Sequence, residues 1–263
     1  MILKRFLIPL VIICSGAASG FAQDAQKGQE IAQRAEAAGN GYGDFTVQGD
    51  MTLRTAGGAT SKRRFAAQNL ELNGGRNTRY MMVFDWPGDI RGTALLTHSF
   101  DKTQDSQWLF LPAAGRVKKI SGTGRSGSFV GSEFSYEDMV EQDASSYRHV
   151  WLRDEACPNG AGTCHLLQRT PVYKSGYSRQ AVWIDTNALR YQLIQYYNRQ
   201  GQLNKTLTMR SYKKYKGRFW RPSQMTMVNH LTGKSTTLAW KNYQFNVGLQ
   251  PSQLTREAMT RAQ

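Results

Sequence analysis

Acidic side chains and cysteines are both scarce in this 263-residue chain. Asp and Glu number 19 against 34 Lys and Arg, and there are three Cys. Three cysteines are too few for a disulfide-dense miniprotein or a multi-cysteine zinc module. The four histidines, His98, His149, His165 and His230, fall on separate strand-like runs and never at metal-ligand spacing. Beyond the N-terminus no long apolar run occurs, which excludes a polytopic membrane protein. There is no HExxH, and Gly124-Arg125-Ser126-Gly127-Ser128 ends in Ser where a nucleophile elbow needs Gly. Gly233-Lys234-Ser235 imitates the end of a phosphate loop, but Val228 stands where the first glycine belongs. The carboxylate pairs Glu137-Asp138 and Glu141-Asp143 suggest acid–base work only if their separation suits it, and sequence does not fix that distance. No enzyme, metal site or cofactor is expected.

What remains is the composition of a folded protein, 40% hydrophobic and 20% charged, in a length that allows a sizeable core. The acid deficit leaves a formal net charge of +15. Such an excess suits nucleic acid, an anionic membrane surface, an acidic partner, or simply a solvated face.

The N-terminus chooses among these. Residues 1–22 read as a secretory signal peptide. Lys4 and Arg5 form the positive region, Phe6 to Cys14 the apolar core, and Gly20 and Ala22 the small residues before cleavage at Gln23. An uncleaved N-terminal anchor is the alternative. A lipoprotein signal does not fit, because Ile13 precedes Cys14 where a small residue is needed. Cleavage takes Lys4 and Arg5 and no acid, moving the charge from +15 to +13. It also places the protein in the periplasm, which argues against a nucleic-acid partner. Cys157 and Cys164 remain, in a turn-rich loop between two strand-like runs. In an oxidising compartment they are expected to join as a structural disulfide at a hairpin. A redox pair or a site with His165 is the weaker reading.

Along the rest of the chain, Ala25 to Ala38 is rich in Ala, Glu, Gln and Lys and predicts a helix stopped by Gly39-Asn40-Gly41. Thereafter short β-branched and aromatic runs alternate with turns such as Asn73-Gly74-Gly75 and Pro87-Gly88-Asp89. Roughly a dozen strands are expected, with a Gly/Ser-rich break over residues 121–127 and a short C-terminal helix from about Ser252. Even spacing, no fixed repeat and no long linker predict one mainly β domain over residues 23–263. Its expected form is a large antiparallel sheet curled into a barrel or half barrel, with one helix in front and helical pieces between strands.

Strand faces suggest where apolar surface gathers. Tyr80, Met82, Phe84 and Trp86 share one face of a run, Met225 and Met227 share another, and residues 108–111 are apolar on both faces. Such faces are ordinarily core, although methionines also suit irregular ligands. The run Arg210 to Lys216 interleaves cations with aromatics. It reads as an exposed, lysine-protected strand or as a contact for anionic lipid.

One stretch is more specific. Phe84-Asp-Trp-Pro-Gly-Asp-Ile-Arg-Gly-Thr-Ala94 is followed by Gln107-Trp-Leu-Phe-Leu-Pro-Ala113 and Arg116-Val-Lys-Lys-Ile-Ser121. Next comes Gly127-Ser-Phe-Val-Gly-Ser-Glu-Phe-Ser-Tyr-Glu-Asp138. This order resembles the LolA-like outer-membrane lipoprotein-sorting proteins, in particular the branch often found with RND-type exporters. The resemblance implies a half-barrel around an apolar cavity closed by lid helices. It also implies a non-enzymatic carrier that shields lipid or lipoprotein acyl chains. Implied partners are that cargo, an inner-membrane RND-type transporter and, transiently, anionic membrane surfaces. An accessory docking module without its own cargo is the alternative. From strand faces, Trp86, Leu95, Trp108, Phe110, Met225 and Met227 are expected to line the cavity. Phe129, Phe134 and Tyr136 are expected to form a flap over it, with Glu137 and Asp138 at its rim. Asp89 and Arg91, flanking a tight turn, are expected to pair with each other or with a lid segment.

Overall fold

The computed structural model describes residues 16–141, 143–160 and 162–261. The apolar core expected of the signal peptide, Phe6 to Cys14, lies outside the described residues. No helix among the described residues is long and apolar enough to cross a membrane.

Helix α1 (Gly16–Gly39) is nearly devoid of large apolar residues, so its attachment depends on close approach rather than bulk. Ile31, Ala32 and Ala35 are its buried contacts. At Gly28 the helix meets main chain: a Cβ there would lie 2.6 Å from Trp151 N and 2.7 Å from the Val150 carbonyl carbon. Arg221 Nη2 and Arg218 Nη2 donate to the carbonyls of Gly39 and Asn40 at the helix end, at 3.0 and 3.1 Å. Cations there match both the free carbonyls and the helix dipole.

The remainder is one antiparallel sheet. Its first six strands are β1 (Asp44–Arg54), β2 (Thr60–Leu72), β3 (Asn77–Trp86), β4 (Ala94–Phe100), β5 (Thr103–Leu111) and β6 (Arg116–Ile120). After residues 121–146 come β7 (Tyr147–Ala156), β8 (Thr163–Pro171), β9 (Tyr177–Asp185) and β10 (Tyr191–Asn198). The chain then forms β11 (Leu203–Tyr215), β12 (Phe219–Asn229), β13 (Ser235–Phe245) and a short helix α2 (Arg256–Met259). The spatial order is β6-β5-β4-β3-β2-β1-β13-β12-β11-β10-β9-β8-β7. Every pair except β1–β13 joins consecutive strands, so short hairpins fix most of the register. The ends, β6 and β7, are not paired with each other. The expected incomplete barrel is therefore present, and the sequence-predicted strands match it closely.

Period-two alternation sorts side chains onto two faces. The concave face carries the main core, including Phe65, Met82, Phe84, Leu95, Leu109, Ile194 and Met227, together with Ile31 and Ala32 of α1. Gly49 in β1 makes room for this packing, since a Cβ would fall 2.2 Å from Phe65 Cζ. The convex face carries two smaller clusters. One sets Met81, Leu96 and Phe110 against Leu249, Leu254 and Met259 of the C-terminal segment. The other surrounds the Cys157–Cys164 disulfide, which joins the ends of β7 and β8 as expected, with Leu166 and Trp183.

Gly28→Ala separates helix propensity from packing. In an open helix the change adds about 1 kcal/mol. Here the new methyl meets the β7 main chain, and urea unfolding is expected to show a loss of about 1–3 kcal/mol. A more stable variant would refute the close approach of α1 to β7.

Candidate functional site

A curled sheet with unpaired ends leaves a concavity that something other than main-chain pairing must cover. The connection from β6 to β7, described over residues 121–141 and 143–146, crosses it with four short 3₁₀ turns. Phe129, Phe134 and Tyr136 are buried there in the main core. Phe129 packs on Phe84 of β3, with centroids 5.9 Å apart, and on Tyr136 at 5.7 Å.

Carboxylates in this connection hold it to the strands. Asn229 Nδ2 donates to Glu133 Oε2 at 2.7 Å. Ser175 Oγ and the Gly176 amide donate to the two oxygens of Glu137 at 2.6 and 3.0 Å. Asp138 accepts from the Tyr177 hydroxyl and the Ser135 amide, with Lys205 Nζ 3.7 Å away. Glu141 Oε1 accepts from Tyr42 at 3.1 Å and from Asn69 Nδ2 at 2.7 Å. Arg63 adds a guanidinium bond to the Val130 carbonyl. At the far end Glu36 of α1 accepts from the Ala144 amide at 3.0 Å. Burial raises the Glu36 and Glu137 carboxyls above the usual carboxylate range, each partly offset by its hydrogen bonds.

Between this roof, the end of α1 and the strands lies a cavity of about 700 Å³. That is within the roughly 300–1,000 Å³ usual for small-molecule sites. Phe45, Tyr80, Ile194, Leu207, Met209, Met225, Leu238, Trp240 and Tyr243 supply apolar wall from six strands. Phe134, Met139 and Val140 line it from the roof, and Ala35 and Ala38 from α1. The surroundings are dry enough that burial pushes the Tyr42, Tyr80 and Tyr243 hydroxyls above their ordinary range. Two buried polar atoms on its wall, Asn69 Oδ1 and Trp240 Nε1, have no partner among the described residues. The rim is polar, with Glu36, Asp101, Asp143, Arg76, Arg190, Arg218 and Arg221. Among the described residues no cluster of His, Cys, Asp and Glu could hold a metal ion.

The sequence-predicted residues distribute unevenly over this site. Phe134 and Met225 line the cavity. Leu95, Phe129 and Met227 face the same concave side but are packed solid in the core. Trp108 and Phe110 require correction: they sit on the convex face, against the cluster covered by the C-terminal segment. The registers Leu96↔Trp108 and Ala94↔Phe110 place them there, while Leu109 turns inward opposite Leu95. Trp86 also requires correction. It follows the inward alternation of Tyr80, Met82 and Phe84 but lies at the last residue of β3, 46% exposed. Asp89 and Arg91 form no ion pair with each other among the described residues. Arg91 donates to the Asp85 carbonyl at 3.1 Å, and Asp89 acts on the charge of Arg63. The roof contact thus belongs to Arg63, which carried no sequence signal of its own. Tyr42, Asn69 and Glu141 were likewise missed, since only folding brings residues 72 and 99 positions apart together.

An open β sheet whose apolar hollow is roofed by its own β6–β7 connection defines a half-barrel fold with an internal cavity. Comparison with known proteins is consistent with that class. A family model described as "-like: Uncharacterized protein" matches residues 76–261. A solved domain from Vibrio parahaemolyticus, named for outer membrane lipoprotein sorting, is 40% identical, with 90% of this chain and 100% of that chain covered and a TM-score of 0.86. A DUF1329 family protein from Desulfovibrio piger is 28% identical over 90% of this chain and 99% of its own, with a TM-score of 0.84. A LolA superfamily protein from Nitrosomonas europaea, 19% identical over 88% and 98% with a TM-score of 0.69, shares the fold. No curated protein sequence matches significantly. The chain belongs to the family of the outer membrane lipoprotein-sorting domain from Vibrio parahaemolyticus, and it shares the fold of the LolA superfamily protein.

Asp105, on the cavity wall, gives the site a pH dependence. Burial pushes its carboxyl from 3.8 up to about 6, against the opposing pull of Arg125 and a Ser99 hydrogen bond. The folded state therefore favours the protonated acid. That contribution is complete below pH 3.8 and is lost as pH rises through about 6. Asp105→Asn is expected to raise unfolding free energy at pH 8 by on the order of 1–3 kcal/mol, with the gain vanishing in acid. Urea titrations at both pH values check this, and a gain independent of pH would refute it.

Proposed function

We propose that this protein is a periplasmic, non-enzymatic carrier. It takes lipid or lipoprotein acyl chains into the cavity and passes them between membranes, or to or from an exporter of the RND type. In this reading residues 1–22 are removed on export and residues 23–263 work as one domain. The observation that carries the proposal is the apolar hollow of about 700 Å³ beneath a roof fastened by side chains. The family relation to proteins named for lipoprotein sorting supports it.

The energetics suit a carrier. Burying a methylene is worth about 0.8 kcal/mol, so ten methylenes supply roughly 8 kcal/mol. That corresponds to a Kd near micromolar before the costs of ordering the chain are subtracted. Such binding protects an acyl tail in water yet permits release. Anionic bilayer surfaces would attract the +13 mature chain only within about 8–10 Å in physiological salt. Charge therefore aids approach, and the apolar wall does the holding.

Protein purified from the periplasm is expected to carry lipid in native mass spectrometry and to take up a fluorescent acyl probe. Met225→Glu places a charge on the wall at a partly buried site and should weaken uptake at least about tenfold. A clean apo mass with no uptake by the wild-type protein would sink the carrier reading.

A further inference from the structure

An acyl chain seated against the apolar wall must leave its polar end at the rim, and the rim is not symmetric. On the side formed by β10 to β12 stand Arg190, Arg218 and Arg221, with Trp220 among them. Arg190 is neutralised: its Nε lies 2.7 Å from Asp185 Oδ2, and its guanidinium sits 4.7 Å from the Trp220 ring centroid. Arg218 and Arg221 are different. Neither enters any ion pair among the described residues. Their hydrogen bonds go to the main-chain carbonyls of Gly39, Asn40 and Trp220. Their guanidinium carbons lie 5.0 to 6.0 Å from the rings of Phe219, Tyr42 and Phe45. Carbonyls and aromatic faces fix the direction of a guanidinium without cancelling its charge.

None of the rim's acids forms an ion pair with Arg218 or Arg221 among the described residues. Glu141 accepts from Tyr42 and Asn69, Glu36 from the Ala144 amide, and Asp143 from its own turn at Ser145. We propose that Arg218 and Arg221 form a headgroup site that selects amphiphiles ending in an anionic oxyacid, phosphate or carboxylate, with the tail in the adjoining cavity. Planar guanidinium forks match such oxygens in geometry as well as charge, and an apolar border strengthens the pairing. The inference rests on the carrier reading and adds the chemical class of the cargo.

Competition against a neutral fluorescent acyl probe tests it. The competitors are oleoyl-lysophosphatidate and monooleoylglycerol, which share one tail, and inorganic phosphate as a headgroup without a tail. The wild-type protein should prefer the lysophosphatidate over the glycerol ester by about tenfold or more. Phosphate alone should not displace the probe, because the tail supplies most of the binding. An Arg218→Gln, Arg221→Gln variant should bring the ratio of the two lipids toward one. Arg218→Lys, Arg221→Lys keeps the charge and should retain part of the preference, which guards against a loosened α1 in the glutamine variant. Equal wild-type affinities for the two lipids overturn the headgroup site while leaving the carrier reading in place. Failure of both lipids to compete overturns both, and displacement by phosphate alone overturns the coupling of head and tail.

Discussion

Everything in this molecule follows from a sheet that curls without closing. Thirteen strands are long enough in total to bend around a hollow, yet β6 and β7 end the sheet unpaired. A closed barrel would satisfy both edges with main-chain bonds and seal its interior. Here the hollow is covered by α1 and by the connection from β6 to β7, and side chains do the fastening. Main-chain ladders break together or not at all, whereas single side-chain bonds, each worth about 1 kcal/mol net, break one at a time. The openness of the sheet thus creates both a cavity and a cover held to the walls by side chains rather than by main-chain pairing.

The cover is not uniform. Around Phe129 and Phe134 it is embedded in the core, where removing each ring would forfeit about 2–3 kcal/mol of burial. Met139, Val140, Glu141 and Asp143 line the cavity, and Glu141 ties this part to Tyr42 and Asn69. Opening there costs a few hydrogen bonds to a carboxylate that water can replace. Opening at the phenylalanines would break the core.

Much of the fold was legible in the sequence because it is local. Helix stop, turns and strand alternation each depend on neighbours, and α1 ends at Gly39, where the Gly39-Asn40-Gly41 stop was expected. The Cys157–Cys164 pairing was legible for the same reason, being seven residues apart across a turn. The cavity was only half legible. Alternation shows that Trp108 and Leu109 face opposite ways but not which face is concave. That depends on where α1, the connection and the C-terminal segment settle. Bulk misled as well, since Trp108 and Phe110 are filled against Leu254 and Met259, whereas the cavity wall is assembled from residues as ordinary as Leu207 and Leu238.

The charge imbalance also has a more definite shape in three dimensions than in composition. Many of the scarce carboxylates are committed to holding the roof or to closing turns, as Glu133, Glu137, Asp138, Glu141 and Asp143 show. None of these acids forms an ion pair with Arg218 or Arg221 among the described residues. The surplus of cations therefore reaches the mouth of the hollow, where Arg218 and Arg221 stand against carbonyls and rings. An excess that in composition pointed only to some anionic partner becomes, in the fold, a polar border set directly against an apolar wall.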